Sequence, residues 1–318
     1  MIMDRKVFGV DIGGTTVKMG MFTSEGELLD KWEIPTRTED SGSNILPDIA
    51  GSIREKMAKA GVQTGDVAGI GISVPGPVDD EGIIHKCVNL GWGVFNISEE
   101  MKKYIDLPVF AGNDANAAAL GEVWKGGGKG CKNVVVVTLG TGVGGGIIVN
   151  GKVLSGYIGA GGEIGHIHID DNETEKCGCG NTGCLEQYAS ATGIARLAVR
   201  RLEKDDEPSS MRSAAHMNAK VVFDAVKAGD KVATEVAEQF GQILGKGLSI
   251  VADVTNPEVF VIGGGVSKAG PVVLDFIKKN YVKYVFHASR DTKFTLATLG
   301  NDAGIYGSAK LVLDGVRA

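Results

Sequence analysis

The stretch Val7–Phe22, "VFGVDIGGTTVKMGMF", aligns without a gap on Val134–Val149, "VVVVTLGTGVGGGIIV". Each copy is a β-branched run, a turn of glycine and threonine, and a second apolar run, which spells a β-hairpin. Gly13-Gly14-Thr15 make the first turn and Gly140-Thr141-Gly142 the second. A segment repeated this way predicts two related α/β domains, each opening on a hairpin. Around the copies, Ile45, Ile49, Ile53 and Met57 recur at helical spacing up to Gly61, and Val67–Val74 is a strand that Pro75-Gly76-Pro77 must end. A helix follows from Asp114 to Trp124, and further helices are expected at Leu185–Leu202, Ala219–Ala228, Lys231–Val254, Pro271–Lys279 and from Asp302, with strands at Val259–Ile262 and Phe294–Leu299. Strands alternating with helices mean layered α/β architecture. The expected division is a small domain of residues 1–112 with 300–318, and a large one of 113–299.

Composition sets the bounds. A chain of 318 residues is near the upper size for one core, so two domains fit it better. With 23% charged and 43% hydrophobic residues it is an ordinary globular protein, and a net charge of −6 disfavours nucleic acid or an anionic membrane surface as partner. Met1–Lys6 leads directly toward a strand with no apolar leader, so a cytoplasmic location is expected. Glycine, at 48 residues, is in excess, which points to tight turns and to backbone approaching a ligand closely.

"GTGVGG" at Gly140–Gly145 satisfies the letters of a dinucleotide fingerprint, but the chain continues as a strand where that fingerprint needs a helix. Hairpin turns of Gly and Thr can instead present backbone N–H groups to phosphate oxygens. Asp11, just ahead of the first turn, can hold Mg2+ against those phosphates. Gly263-Gly264-Gly265, after the strand "VFVI", is a third place for a flat ligand to approach backbone. Lys18 suits either neutralisation of phosphate or, the simpler reading, a solvated strand lysine. Asp114 opens a helix after a short strand, which suits either a carboxylate projecting into a cleft or a plain N-cap.

"CGCGNTGCLE" (Cys177–Glu186) follows Glu163-Ile-Gly-His166-Ile-His168. Cys177, Cys179 and Cys184 with one histidine supply the four N/S ligands of tetrahedral zinc. Four protein ligands leave no open position, so the metal is expected to be structural. Spacing does not choose between His166 and His168.

"DIGGTTVKMG", "NDANAAALGE", "LGTGVGGG", "GEIGH", "CGCGNTGCLE" and "VIGGGV" resemble, in that order, the motifs of the ROK family of bacterial sugar kinases and related repressors. The resemblance runs from Val7 to about Gly307. It implies two ribonuclease-H-like domains of the actin-like ATPase kind with a cleft between them. It further implies ATP binding by Asp11, Gly13, Gly14, Thr15, Gly140, Thr141, Gly142 and Gly263–Gly265. Asn113, Asp114, Glu163, His166 and Glu186 match the sugar ligands, with Asp114 the catalytic base. His166, Cys177, Cys179 and Cys184 match the zinc ligands, which gives His166 two neighbours, metal and sugar. Gly112 departs from the glutamate that many members carry there. "VNLGW", "NDANAAALGEVWKG" and "ASATGIAR" resemble the glucokinase branch, so ATP-dependent phosphorylation of the 6-hydroxyl of glucose is expected. Relatives acting on fructose, mannose, N-acetylglucosamine or N-acetylmannosamine share the core motifs. Family membership also implies a homodimer or a tetramer of dimers. A repressor would carry a DNA-binding segment ahead of the first turn and tend to lose the phosphate turns; both turns are present here, and DNA binding is not expected.

Overall fold

The computed structural model describes residues 5–316; Met1–Asp4, read above as leading into the first strand, lie outside the described residues. The first half contains β1 (Lys6–Ile12), β2 (Thr16–Thr23), β3 (Leu28–Pro35), α1 (Glu39–Gly42), α2 (Ile45–Ala60), β4 (Val67–Val74), a small hairpin of β5 (Ile83–Ile84) and β6 (Phe95–Asn96), α3 (Ile97–Met101) and β7 (Val109–Asn113). After α4 (Asp114–Lys125) the second half contains β8 (Val134–Leu139), β9 (Val143–Val149), β10 (Lys152–Val153), α5 (Glu186–Ala189), α6 (Ala191–Leu202), α7 (Ala219–Lys227), α8 (Lys231–Thr255), β11 (Val259–Gly263), α9 (Pro271–Tyr281), β12 (Lys293–Leu296) and α10 (Ala303–Gly315).

The two main sheets have the orders β3-β2-β1-β4-β7 and β10-β9-β8-β11-β12. In each, the opening hairpin is antiparallel and the two later strands run parallel to its first strand. One ribonuclease-H-like plan is therefore built twice, as the repeated hairpin implies. No helix among the described residues is long and apolar enough to cross a membrane.

One expectation fails in detail, and one strand has no counterpart among the expected elements. The helix expected over Leu185–Leu202 is broken at Ser190, whose backbone is extended and whose hydroxyl accepts from Gly193 N at 2.9 Å, starting a new helix. β3 was absent from the sequence reading. It is an edge strand whose residues are only half buried in alternation, so its apolar signal is thin. The "GTGVGG" turn does lead into strand β9 and not a helix.

Helices α4 and α10 form the middle of the molecule. Ile305, Ala309 and Val312 of α10 pack on Val7, Phe22 and Ala68 of the first sheet, while Ala119 and Leu120 of α4 pack on Val134, Val136 and Ile148 of the second. The layers touch at backbone distance. A Cβ on Gly71 would collide with Ser308 O, and one on Gly307 with Ala117 O. Such contacts admit no side chain, and they fix the cleft floor where α4 begins.

Candidate active site

The ends of β1, β7, β9 and β11 and the start of α10 enclose a cleft of about 820 Å3. Asp11, Asn113, Asp114, Glu163 and Gly263–Gly265 line it, whereas Gly13–Thr15, Gly140–Gly142 and His166 are not among its lining residues. Asn113, not Asp114, caps α4, its Oδ1 accepting from Asn116 N at 3.1 Å. That disposes of the plain N-cap reading of Asp114, whose carboxylate stands in the cleft at the first helical position. Ala115 N and Asn113 Nδ2 donate to its Oδ1 at 2.8 and 3.0 Å, and the same Nδ2 reaches Gly76 O at 3.2 Å. Burial, with the charge of Asp11 adding to it, pushes Asp114 up to about 6. A carboxyl group there is ionised at neutral pH yet basic enough to take a proton.

Asp11 is raised as well, chiefly by burial; a hydrogen bond from Ser73 Oγ at 2.8 Å and the charge of Lys18 oppose the rise. Neither partner came from sequence reasoning. Lys18 is half-buried, which fits the phosphate-facing reading better than the freely solvated one. It sits opposite Asp11 in the β1–β2 register, lines the cleft and donates to Asn301 O at 3.3 Å. Equal distance from the four residues Gly13–Thr16, two positions before them and two after, was the signal that could have paired the two. Ser73 stands alone in an apolar strand just before Pro75-Gly76-Pro77, which was a weaker signal.

The two Gly/Thr hairpin turns leave Gly14, Thr15 and Thr141 exposed. Their shapes are held from behind. Gly13 N donates to Thr16 O at 3.0 Å and Thr36 Oγ1 to Gly13 O at 2.7 Å, while Gly140 N donates to Gly142 O at 3.0 Å and Thr192 Oγ1 to Thr141 O at 2.6 Å. The third turn sits on the second, because Gly264, at φ 82°, packs against the backbone of Leu139.

His166, Cys177, Cys179 and Cys184 bring their donor atoms within 4.8 Å of one another. The Cys177 Sγ to His166 Nδ1 distance is 3.8 Å and Cys179 Sγ to Cys184 Sγ is 3.7 Å. Ligands on a zinc tetrahedron, with bonds of about 2.0–2.3 Å, stand about 3.5–3.8 Å apart. The donor set therefore fits zinc. His168 is excluded by geometry, since its nitrogens face Thr182 O at 2.9 Å and Asp171 Oδ1 at 2.8 Å. His166 turns Nδ1 to the cysteines and Nε2 toward Glu163 Oε2, 3.9 Å away. Glu186 does not line the large cleft. It braces the second turn, accepting from Val143 N at 2.9 Å with its other oxygen 3.6 Å from Cys177 Sγ, and borders a separate cavity of about 200 Å3 beside Thr141.

Paired ribonuclease-H-like sheets around a cleft holding a carboxylate and glycine turns define the actin-like ATPase class. Within that class the chain belongs to the ROK family, whose sequence pattern it matches over residues 7–315. It is 45% identical over 314 residues to a glucokinase of Halalkalibacterium halodurans, covering 97% of this chain and 95% of that protein. A ROK family glucokinase from Streptomyces griseus, solved with glucose and AMPPNP, superposes with a TM-score of 0.74 at 33% identity, covering 96% of this chain and 98% of that one. A ROK hexokinase from Thermus thermophilus gives a TM-score of 0.81 at 31% identity, with coverage of 98% and 99%.

Proposed function

We propose that the protein is an ATP-dependent hexose kinase that phosphorylates the 6-hydroxyl of glucose, with Asp114 as general base. The observation that carries this is the buried Asp114 carboxylate, held near 6 in a cleft that also contains Asp11 and the Gly263–Gly265 turn. Phosphoryl transfer asks a protein mainly to align donor and acceptor, neutralise charge and remove the hydroxyl proton. Asn113 and Glu163, which line the cleft, and His166, whose Nε2 faces Glu163, offer amide, carboxylate and imidazole to vicinal sugar hydroxyls. Glu186 would join them by turning from Val143 N. Gly13–Thr15, Gly140–Gly142 and Gly263–Gly265 would hold ATP, with Asp11 against its Mg2+ and Lys18 beside it. Zinc on His166, Cys177, Cys179 and Cys184 would supply no chemistry but would fix the Nε2 side of His166 toward the sugar.

The lobes are assigned as residues 1–112 with 300–318, and 113–299; the packing of α10 on the first sheet supports the return of the chain to the small lobe. A homodimer, or a tetramer of dimers, is the proposed assembly. Val254, Tyr284 and Phe286 are exposed apolar side chains near the end of α8 that a second copy would cover, and sedimentation at micromolar concentration checks it.

A coupled ADP-release assay over a hexose panel tests the activity. The expected result is turnover with glucose at the highest kcat/KM; no turnover with any hexose would overturn the reading.

A further inference from the structure

The motif Asn113–Glu122 ends in a residue that the site above does not use. Glu122 sits in the last turn of α4 and is 1% exposed. Its Oε2 accepts from Gly127 N at 2.7 Å, and its Oε1 accepts from Leu299 N at 2.9 Å and Thr298 N at 3.1 Å. Three backbone donors from two separate segments thus converge on one side chain. Gly127 belongs to the chain leaving α4. Thr298 and Leu299 belong to the crossing from β12 into α10. Thr295 Oγ1, donating to Gly127 O at 3.2 Å, ties the same segments a second time.

The crossing is also a wall of the cleft. Thr298, Gly300 and Asn301 line it, Ala297 packs on Gly263, and Asn301 O receives Lys18 Nζ. We propose that Glu122 is a positioning residue that fixes the nucleotide side of the cleft relative to the helix that carries Asp114. This assignment rests on the kinase reading above. A carboxylate suits the position because it offers two acceptor oxygens and, when ionised, no donor. Glutamine, of the same size, turns an NH2 group toward at least one of the three amides, and a buried N–H without an acceptor is destabilising.

Glu122→Gln in the full-length protein tests the assignment, with both Michaelis constants measured. The wall it holds packs on Gly263 through Ala297, at the turn proposed to hold the nucleotide, so KM for ATP should rise about five- to tenfold. KM for glucose should stay within about twofold. A residue that only stabilises the fold would lower the active fraction and kcat with both KM values unchanged, and that result overturns the proposal. Hydrogen exchange on the wild-type protein is the second readout and needs no variant to fold. Without nucleotide, the Thr298 and Leu299 amides should exchange as slowly as those of β11; exchange at the rate of an exposed loop overturns the proposal independently. Absence of hexose turnover in the wild type would fail the kinase reading alone, while the exchange result would still report on the clamp.

Discussion

The two copies of the opening hairpin share a backbone plan and differ in what they carry. Position by position, Asp11 in the first stands where Thr138 stands in the second, and Lys18 where Gly145 stands. The first hairpin brings charges into the cleft. The second gives them up for closeness, because a Cβ on Gly145 would come within 2.5 Å of Gly162 O and meet Ile164, the segment leading to Glu163 and His166. The turns differ in the same sense. Gly142 leaves no room for a Cβ beside the Glu186 carboxylate, whereas a Cβ on Gly14 meets nothing within 4 Å. A duplicated frame has thus divided its work, one half presenting charge and the other offering a surface for the histidine–cysteine loop to dock.

If that division is right, the largest effect should come from the metal. The protein should hold about one zinc per chain, measurable by elemental analysis, and a structural zinc can contribute on the order of 10 kcal/mol to local folding. Chelation should loosen residues 163–186 and, through Glu186, the second turn, while leaving Gly13–Thr15 as protected from hydrogen exchange as before. Sugar binding should be lost. Fully active protein without metal would break the comparison.

Next in size is Asp114→Asn, for which kcat with glucose should fall about 10²–10⁴-fold with ATP binding near normal. The wild-type kcat/KM should show an acid limb at about 6, the value at which burial holds Asp114, because the protonated form cannot act as base. The same shift has a stability sign. A carboxyl group raised in the fold contributes stability fully below its unfolded value near 3.8 and loses it as pH rises through about 6. Asp114→Asn should therefore raise Tm at pH 7–8 and leave it unchanged at pH 3.5, as calorimetry can show. Wild-type turnover by this variant would remove the base from the mechanism.

The smallest effects sharpen the contrast between the turns. Gly142→Ala displaces the Glu186 carboxylate from Val143 N and should cost about 1–2 kcal/mol in denaturant titration. Gly14→Ala should stay within about 0.5 kcal/mol. Equal costs would mean that the second turn is not braced as described.

The duplication was legible because both copies are dense in β-branched residues around a glycine turn, and periodic apolar helices such as α2 and α8 were legible for the same kind of reason. β3 was not, since an edge strand needs little apolar surface, and the break at Ser190 depended on one hydroxyl turning to Gly193 N. In the site, motifs named Asp11, Asn113 and Asp114, which the cleft brings together. They did not disclose what faces them. Lys18 became Asp11's neighbour through strand register, and Glu186 was directed to Val143 N by packing of the cysteine loop on β9. Spacing left two histidines open; the family motif pointed to His166, and the fold turns His168 outward toward Asp171.

The return of α10 to the first sheet also orders the protein's birth. Proteins emerge from the ribosome at about 5–20 residues per second, and N-terminal parts generally fold first. Here two strands of the first sheet, β1 and β4, have one face shaped by Gly9 and Gly71 to receive α10, and residues 303–315 are made only after every strand of both sheets. The second half can gather its core while the first still waits, half clothed, for its last helix. A ribosome that stops short of residue 303 releases a chain whose oldest sheet has never been closed.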